Sequence, residues 1–461
     1  MASNHIPTED PTILLRYQQS YQERENLLDT TDPLKRLSAT CFFRKFVSLE
    51  TREHGTIVDH FIQLGIVPKF IEFLMKDDEP HLQFESAWVI TGIASGSSEH
   101  TQLLIQLGAV PMLIQLLSSP NDDVKDQAVW ALANIAGDGP ATRNVVLRAG
   151  ILAPLLKIIE ENPKVSILRN ATWAVSNLFR GKPFPDFDLI SPSIPVLAQL
   201  LFSTDEEILV EVCWAFSFMT AEKEGIERAL QANVTRRLVE LMGHSSANVV
   251  LPALRTIGNI VSGNDSYTQT VINCNALSIL CQLLSHSKNN IRKEACWTVS
   301  NITAGSVEQI QAVIDATIIP KLIMHIETST THAHTKSEAI WAILNAINGG
   351  NFDQILYIIE QGDMCLEVLS DLLLNDSICD EKLKNDVLRG LSNIARACRA
   401  NGSSQCFEDM LDMKGLWHEV MYNNFRGTSG YEKKFVDNLR KPNTQSLCDS
   451  KISFKDEMED D

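Results

Sequence analysis

The sequence predicts an all-α chain assembled from stacked helical repeats, and three observations predict it. One apolar segment recurs at a near-constant period, a second apolar segment recurs between its copies, and nothing alternates with the period of two that strands require. The chain has 461 residues, enough for one continuous array, and 44% of them are hydrophobic, so a substantial core is available to bury.

The first segment reads small–x–apolar–apolar–Pro–x–apolar–apolar–x–apolar–apolar. It occurs as LGIVPKFIEFL from Leu64, LGAVPMLIQLL from Leu107, AGILAPLLKII from Ala149 and SPSIPVLAQLL from Ser191. It continues as ANVTRRLVELM from Ala232, CNALSILCQLL from Cys274 and ATIIPKLIMHI from Ala316, with successive starts 43, 42, 42, 41, 42 and 42 residues apart. Its apolar residues keep helical spacing, and a first turn tolerates the Pro. The second segment supplies ESAWVITGIASG, DQAVWALANIAGDG, RNATWAVSNLFRG, VEVCWAFSFMT, LPALRTIGNIVSG, KEACWTVSNITAG and SEAIWAILNAINGG. Most copies stop at Gly, which reads as a C-terminal helix cap. A period of about 42 with two or three helices per unit is that of the armadillo/HEAT class.

The first unit runs from Pro33 to Met75 around RLSATCFFRKFVSLE, the ninth carries LKNDVLRGLSNIARAC, and a tenth begins near Lys414. The expected fold is an all-α armadillo-repeat right-handed superhelical solenoid of about ten repeats over residues 33–441. A flexible N-terminal segment over 1–32 and an acidic flexible tail over 442–461 flank it.

The formal net charge of -18 argues against nucleic acid or an anionic membrane as main partner and fits a basic ligand. The ten cysteines show no Cys-x-x-Cys; Cys213 and Cys296 each precede a Trp and read as small buried apolar residues. MASNHIPTEDP has no basic region followed by an apolar stretch, and no run of about 18 apolar residues occurs, so the expected location is cytoplasm and nucleus. Gly137-Asp138-Gly139 reads as a helix end, and His332 and His334 in TTHAHT as an inter-repeat loop. No nucleophile–base spacing or carboxylate pair marks an enzyme, and no cofactor or metal is expected.

The candidate site lies in the second segment. Six of the seven Trp share one phase of the repeat: Trp88, Trp130, Trp173, Trp214, Trp297 and Trp341. Asn follows four residues later at Asn134, Asn177, Asn301 and Asn345, on the same helix face. Stacking such helices about 8–10 Å apart makes a ladder. An extended peptide advances about 3.3 Å per residue, so one repeat spans roughly three ligand residues. The Asn amide holds a peptide C=O and N–H whatever the sequence, and indole slots accept the stem of Lys or Arg. Asp138, Glu211, Glu294 and Glu338 stand near the rungs as partners for the cations. A single Trp at helical spacing reads as core; six in one phase, four with Asn, do not.

These motifs closely resemble the importin-α (karyopherin-α) family, adaptors that carry nuclear localisation signals, over about Leu34 to Lys441. The resemblance implies a major peptide site at Trp88, Gly96, Thr101, Gln127, Trp130, Asn134, Asp138, Asn170, Trp173, Asn177 and Trp214. It implies a minor site at Arg255, Asn259, Glu294, Trp297, Asn301, Glu338, Trp341 and Asn345, with Arg255 in the place of a Trp. Partners implied are proteins with Lys/Arg-rich localisation signals, and an export receptor on the last repeats, here GLWHEVMYNNFRG and YEKKFVDNLRK. Gly92 stands where the family has Asn, which predicts one lost clamp and tighter binding for Gly92→Asn. Phe218 replaces a Tyr, and TAEKE replaces an Asp-Gly helix ending. The family's basic importin-β-binding segment is not evident in residues 1–40, which hold Arg16, Arg24, Lys35 and Arg36 against six acidic residues. The alternative is therefore a basic-peptide-binding protein that sequesters or anchors its ligands without coupling to importin-β. A β-catenin-like scaffold would instead line the ladder with Lys/Arg.

Overall fold

The computed structural model describes residues 24–48, 54–161, 163–362, 369 and 381–402, and every regular element among them is helical. The tenth unit near Lys414, the expected tail and residues 1–23 lie outside the described residues. Residues 24–28, inside the segment expected to be flexible, are helical, with Leu28 buried and the Arg24 guanidinium 4.0 Å over the Phe42 ring. The chain divides into two compact units, Met1–Met219 and Thr220–Asp461.

A complete repeat is two short helices followed by a long one, as in Ser98–Gln106, Ala109–Leu116 and Asp122–Gly137. The long helices carry the candidate site. In the first unit they are α1 (Pro33–Val47), α2 (Pro80–Ala94), α3 (Asp122–Gly137), α4 (Val165–Phe179) and α5 (Glu206–Met219). In the second they are α6 (Ala247–Val261), α7 (Asn289–Thr303), α8 (Ala333–Gly349) and α9 (Glu381–Ala400). Within each unit every long helix packs on the next. Small buried residues two before and one after the Trp position, such as Ala128 and Ala131, Ala171 and Ala174, and Ala339 and Ala342, permit that approach. The side chains of Asp32, Asn121 and Ser246 start α1, α3 and α6 by accepting orphan N–H groups of the first turn.

The glycines do a different job from the one the sequence suggested. Most long helices end without a left-handed residue: Ser95, Asp138, Ser262 and Ala304 cap α2, α3, α6 and α7 in right-handed conformation. Gly96, Gly263 and Gly305 follow because the side chain four residues on occupies the space of their Cβ. At Gly305 a Cβ would come within 2.0 Å of Gln309 Oε1, which itself accepts from the Ser306 N–H in a capping box. Apart from Gly181 after α4 and Gly402 after α9, the left-handed residues lie instead at the second position of the first segment: Gly65, Gly108, Gly150, Asn233, Asn275 and Thr317, with φ of 69°, 79°, 88°, 56°, 66° and 56°. They turn the chain between the two short helices. Only SPSIP breaks this rule, because Pro192 fixes a negative φ; there the chain makes the short helix Phe187–Ile190 and a 3-10 turn over Ser191–Ser193.

Behind α4 a buried Arg143 gathers the chain. Its guanidinium donates to the carbonyls of Arg180, Gly181 and Pro183 at 2.6, 2.9 and 2.6 Å. Cys213 and Cys296 are fully buried, and burial pushes the Cys296 thiol up to about 12, which keeps it protonated. No described helix is long and apolar enough to cross a membrane.

Candidate peptide-binding ladder

In the first unit α2, α3, α4 and α5 present Trp88, Trp130, Trp173 and Trp214. Three are half-buried and Trp130 is 41% exposed, which is not how core indoles sit. One turn on, the Asn134 amide donates to the Thr91 carbonyl at 3.1 Å and the Asn177 amide to the Ala133 carbonyl at 3.1 Å. Each amide thus ties its helix to the one before, and the bond fixes the carboxamide plane. An amide offers two N–H groups and a carbonyl oxygen; this bond engages one N–H.

A second column stands three residues before each Trp. Gln127 donates to Thr91 Oγ1 at 2.7 Å, Asn170 to the Asp126 carboxylate at 2.7 Å, and Glu211 accepts from Ser176 Oγ at 2.6 Å. Burial raises the Glu211 pKa despite that bond and the nearby Arg180. Glu85, before Trp88, accepts from Arg44 Nε at 2.7 Å, and the Arg44 guanidinium lies 4.5 Å over the Trp88 ring. The motif reading missed Arg44 and Glu85. The signal was a run of polar residues, Glu85, Gln127, Asn170, Glu211, Glu294 and Glu338, each three before a Trp.

At the corner beyond α2, Ser98 Oγ donates to Asp138 at 2.7 Å, leaving the rest of this carboxylate for a cation. Thr101 is fully buried, its hydroxyl near the carbonyls of Ala94 and Ser97, and Gly96 makes room for His100. Two rungs depart from the pattern. A Cβ on Gly92 would lie 2.6 Å from Val47 Cβ, so α1 fills the space that an Asn side chain would need; the expected gain from Gly92→Asn has no room to arise. Phe218 stacks on Trp214 with ring centroids 5.5 Å apart, covering one of its faces from the same helix.

In the second unit Arg255 donates to Glu294 at 2.6 Å and its guanidinium lies 5.3 Å from the Trp297 ring. The Asn345 amide donates to the Ser300 carbonyl at 3.0 Å, repeating the inter-helix tie, while the Asn259 amide donates to the hydroxyl of Thr220, in the turn that opens this unit, at 3.2 Å. Trp297 and Trp341 are half-buried. A Cβ on Gly258 would meet the Trp297 ring at 2.3 Å, so this indole rests directly on the α6 backbone. Two buried polar atoms here lack a hydrogen-bond partner, Asn301 Nδ2 and Glu294 Oε2. Burial, and then repulsion from Glu294, push the Glu338 carboxyl up to about 7. The acidic residues therefore stand crowded and partly desolvated, a setting that an added cation relieves. His332 and His334 begin α8 with stacked, exposed rings, and no metal-binding group of three or more His, Cys, Asp or Glu occurs among the described residues.

The armadillo/beta-catenin-like repeat family matches residues 97–137, 140–180, 223–262 and 264–304. Importin subunit alpha-1b of Oryza sativa subsp. japonica is 45% identical over 415 residues, 88% of this chain and 76% of that protein. Importin subunit alpha-5 of Arabidopsis thaliana is 50% identical over 347 residues, 74% of this chain and 65% of its own length. Importin subunit alpha-1a of Oryza sativa subsp. japonica is 47% identical over 327 residues, and there the match spans about half of the relative, 53%. An engineered protein solved by the Northeast Structural Genomics Consortium, target OR497, shares the fold at 24% identity, with a TM-score of 0.78 over 92% of this chain and 99% of its own. Identity of this extent along stacked armadillo repeats settles the family: the chain belongs to the importin-α proteins.

Proposed function

We propose that the chain is a receptor for nuclear localisation signals, an adaptor that holds a Lys/Arg-rich cargo segment along the ladder for import into the nucleus. It is not an enzyme. The observation that carries the reading is the repeated tie of Asn134, Asn177 and Asn345 to the preceding helix beside half-exposed indoles. It presents oriented amides at a constant step, matched to a peptide backbone rather than to one side chain. The stranded Asn301 Nδ2 and Glu294 Oε2 support the same use in the second unit, since a ligand carbonyl and a ligand cation would partner them. The chain works in cytoplasm and nucleus on this reading. Contact with an export receptor would fall on the last repeats, outside the described residues.

The test is titration with a Lys-rich localisation peptide. Trp130→Ala and Asn134→Ala should each weaken binding about tenfold with helical content unchanged. If both variants unfold instead, the ladder is core and the reading fails.

The second reading is sequestration of basic peptides without importin-β. Direct titration with importin-β separates the two, because tight binding removes the second reading.

A further inference from the structure

Arg44 occupies the Trp phase of the first repeat. Val47, three residues after it, packs on Gly92, four after Trp88. The same offset joins Thr91, three after Trp88, to Asn134, four after Trp130. Where the later long helices of this unit project an indole, α1 therefore projects a guanidinium.

That guanidinium sits as a ligand's cation would, over an indole face with a carboxylate beside it. It is 4.5 Å from the Trp88 centroid and 2.7 Å from Glu85, with side chains only 22% and 13% exposed. The second unit repeats the triad, with Arg255 2.6 Å from Glu294 and 5.3 Å from the Trp297 centroid, on helices one repeat apart and with the same three-residue spacing from Glu to Trp. At the first step the amide is lost too, because Val47 fills the space beside Gly92. Ring face, carboxylate and backbone clamp are thus all taken at one rung.

We propose that Arg44 is a built-in occupant of the cation subsite at Trp88, that it ends the first unit's ladder there, and that it thereby limits how many basic residues this unit accepts. The proposal rests on the peptide-binding reading above. Arg44 is then a specificity determinant for ligand length: a Lys or Arg reaching this face must displace an internal cation already held by Glu85.

The experiment compares a five-residue Lys-rich peptide with versions extended by two residues, one a Lys, at either end. The readout is the ratio of long-peptide to short-peptide affinity within each protein, which cancels the general effect of a changed net charge. Arg44→Met keeps the aliphatic stem and should raise that ratio about five- to tenfold for one of the two extensions. Lys45→Ala removes a neighbouring exposed cation and should leave the ratio within about twofold of wild type. Adding Glu85→Gln to Arg44→Met should abolish the gain. Equal ratios in Arg44→Met and Lys45→Ala overturn the proposal alone, and Arg44→Gln gives the same comparison if the Met variant does not fold. If the short peptide binds none of the proteins, the peptide-binding reading falls and the proposal falls with it.

Discussion

Replacing Gly92 by Ala puts a methyl group against Val47, whose own backbone carbonyl closes the space from behind. Overpacking of this kind costs about 1–3 kcal/mol, while Ala in place of Gly inside a helix returns about 1 kcal/mol. Gly92→Ala should therefore lower the urea midpoint; a higher midpoint would show that α1 gives way. Glu338 makes the opposite kind of statement, about charge. Its carboxyl is raised from 4.5 to about 7, so the native state binds a proton that the unfolded chain releases. Its contribution to stability is full below pH 4.5 and is lost as pH rises through about 7. Basic-peptide binding to the second unit runs the other way, strengthening from pH 6 to pH 8 as Glu338 ionises. Both slopes should flatten in Glu338→Gln, and a pH-independent affinity in the parent protein would remove Glu338 from the site. Neither residue was fully legible in the sequence. Glu338 was placed near a rung by its phase, but its crowding by Glu294 comes from the preceding long helix, α7. Gly92 announced a missing amide, yet the reason, Val47 on another repeat, is a tertiary contact that no local pattern encodes.

At the scale of one repeat the turn residues decide the fold. A β-branched residue in the left-handed region is strained, and Thr317 sits there at φ 56° where other repeats use Gly or Asn. Thr317→Gly should raise stability by up to about 1 kcal/mol, and a loss would mean that the Thr side chain contributes packing beyond its strain. Gly305 carries the complementary constraint. Gly305→Ala should destabilise, and a Gly305→Ala/Gln309→Ala double variant should lose less than the sum of the two, since the second change removes the atom that the new methyl meets. Strict additivity in melting experiments would show that the two do not share that space. The sequence announced these helices well, because the apolar spacing is local. It misplaced the purpose of the glycines, because a glycine that yields space to a neighbour and one that turns left look alike as letters.

Each unit, taken as a whole, carries its own ladder: Trp88 to Trp214 in the first, Arg255 to Asn345 in the second. A net charge of -18 adds a long-range pull on any basic ligand, so affinity for a Lys-rich peptide should fall steeply between low salt and about 0.5 M, where screening shortens to a few ångströms. Salt-independent binding would leave shape and hydrogen bonding alone as the cause. The repeat period and the Trp–Asn phase were visible at this scale because a period near 42 survives substitution at single sites. The tie of Asn134, Asn177 and Asn345 to the helix before was not visible, since the acceptor is a backbone carbonyl and carries no letter.

That tie bears on the thermodynamics of recognition. Asn134, Asn177 and Asn345 surrendered their rotamer freedom when the repeats stacked, before any peptide arrived. Immobilising a polar side chain at an interface otherwise costs about 0.5–1.5 kcal/mol, so the two amides held in advance in the first unit spare a peptide bound there about 1–3 kcal/mol of ordering. Calorimetry should place the unfavourable entropy of association almost wholly on the peptide. A ligand stiffened into an extended shape should then bind with a smaller entropic loss at nearly the same enthalpy, and the protein's side-chain amide resonances should keep their positions and sharpness when it docks.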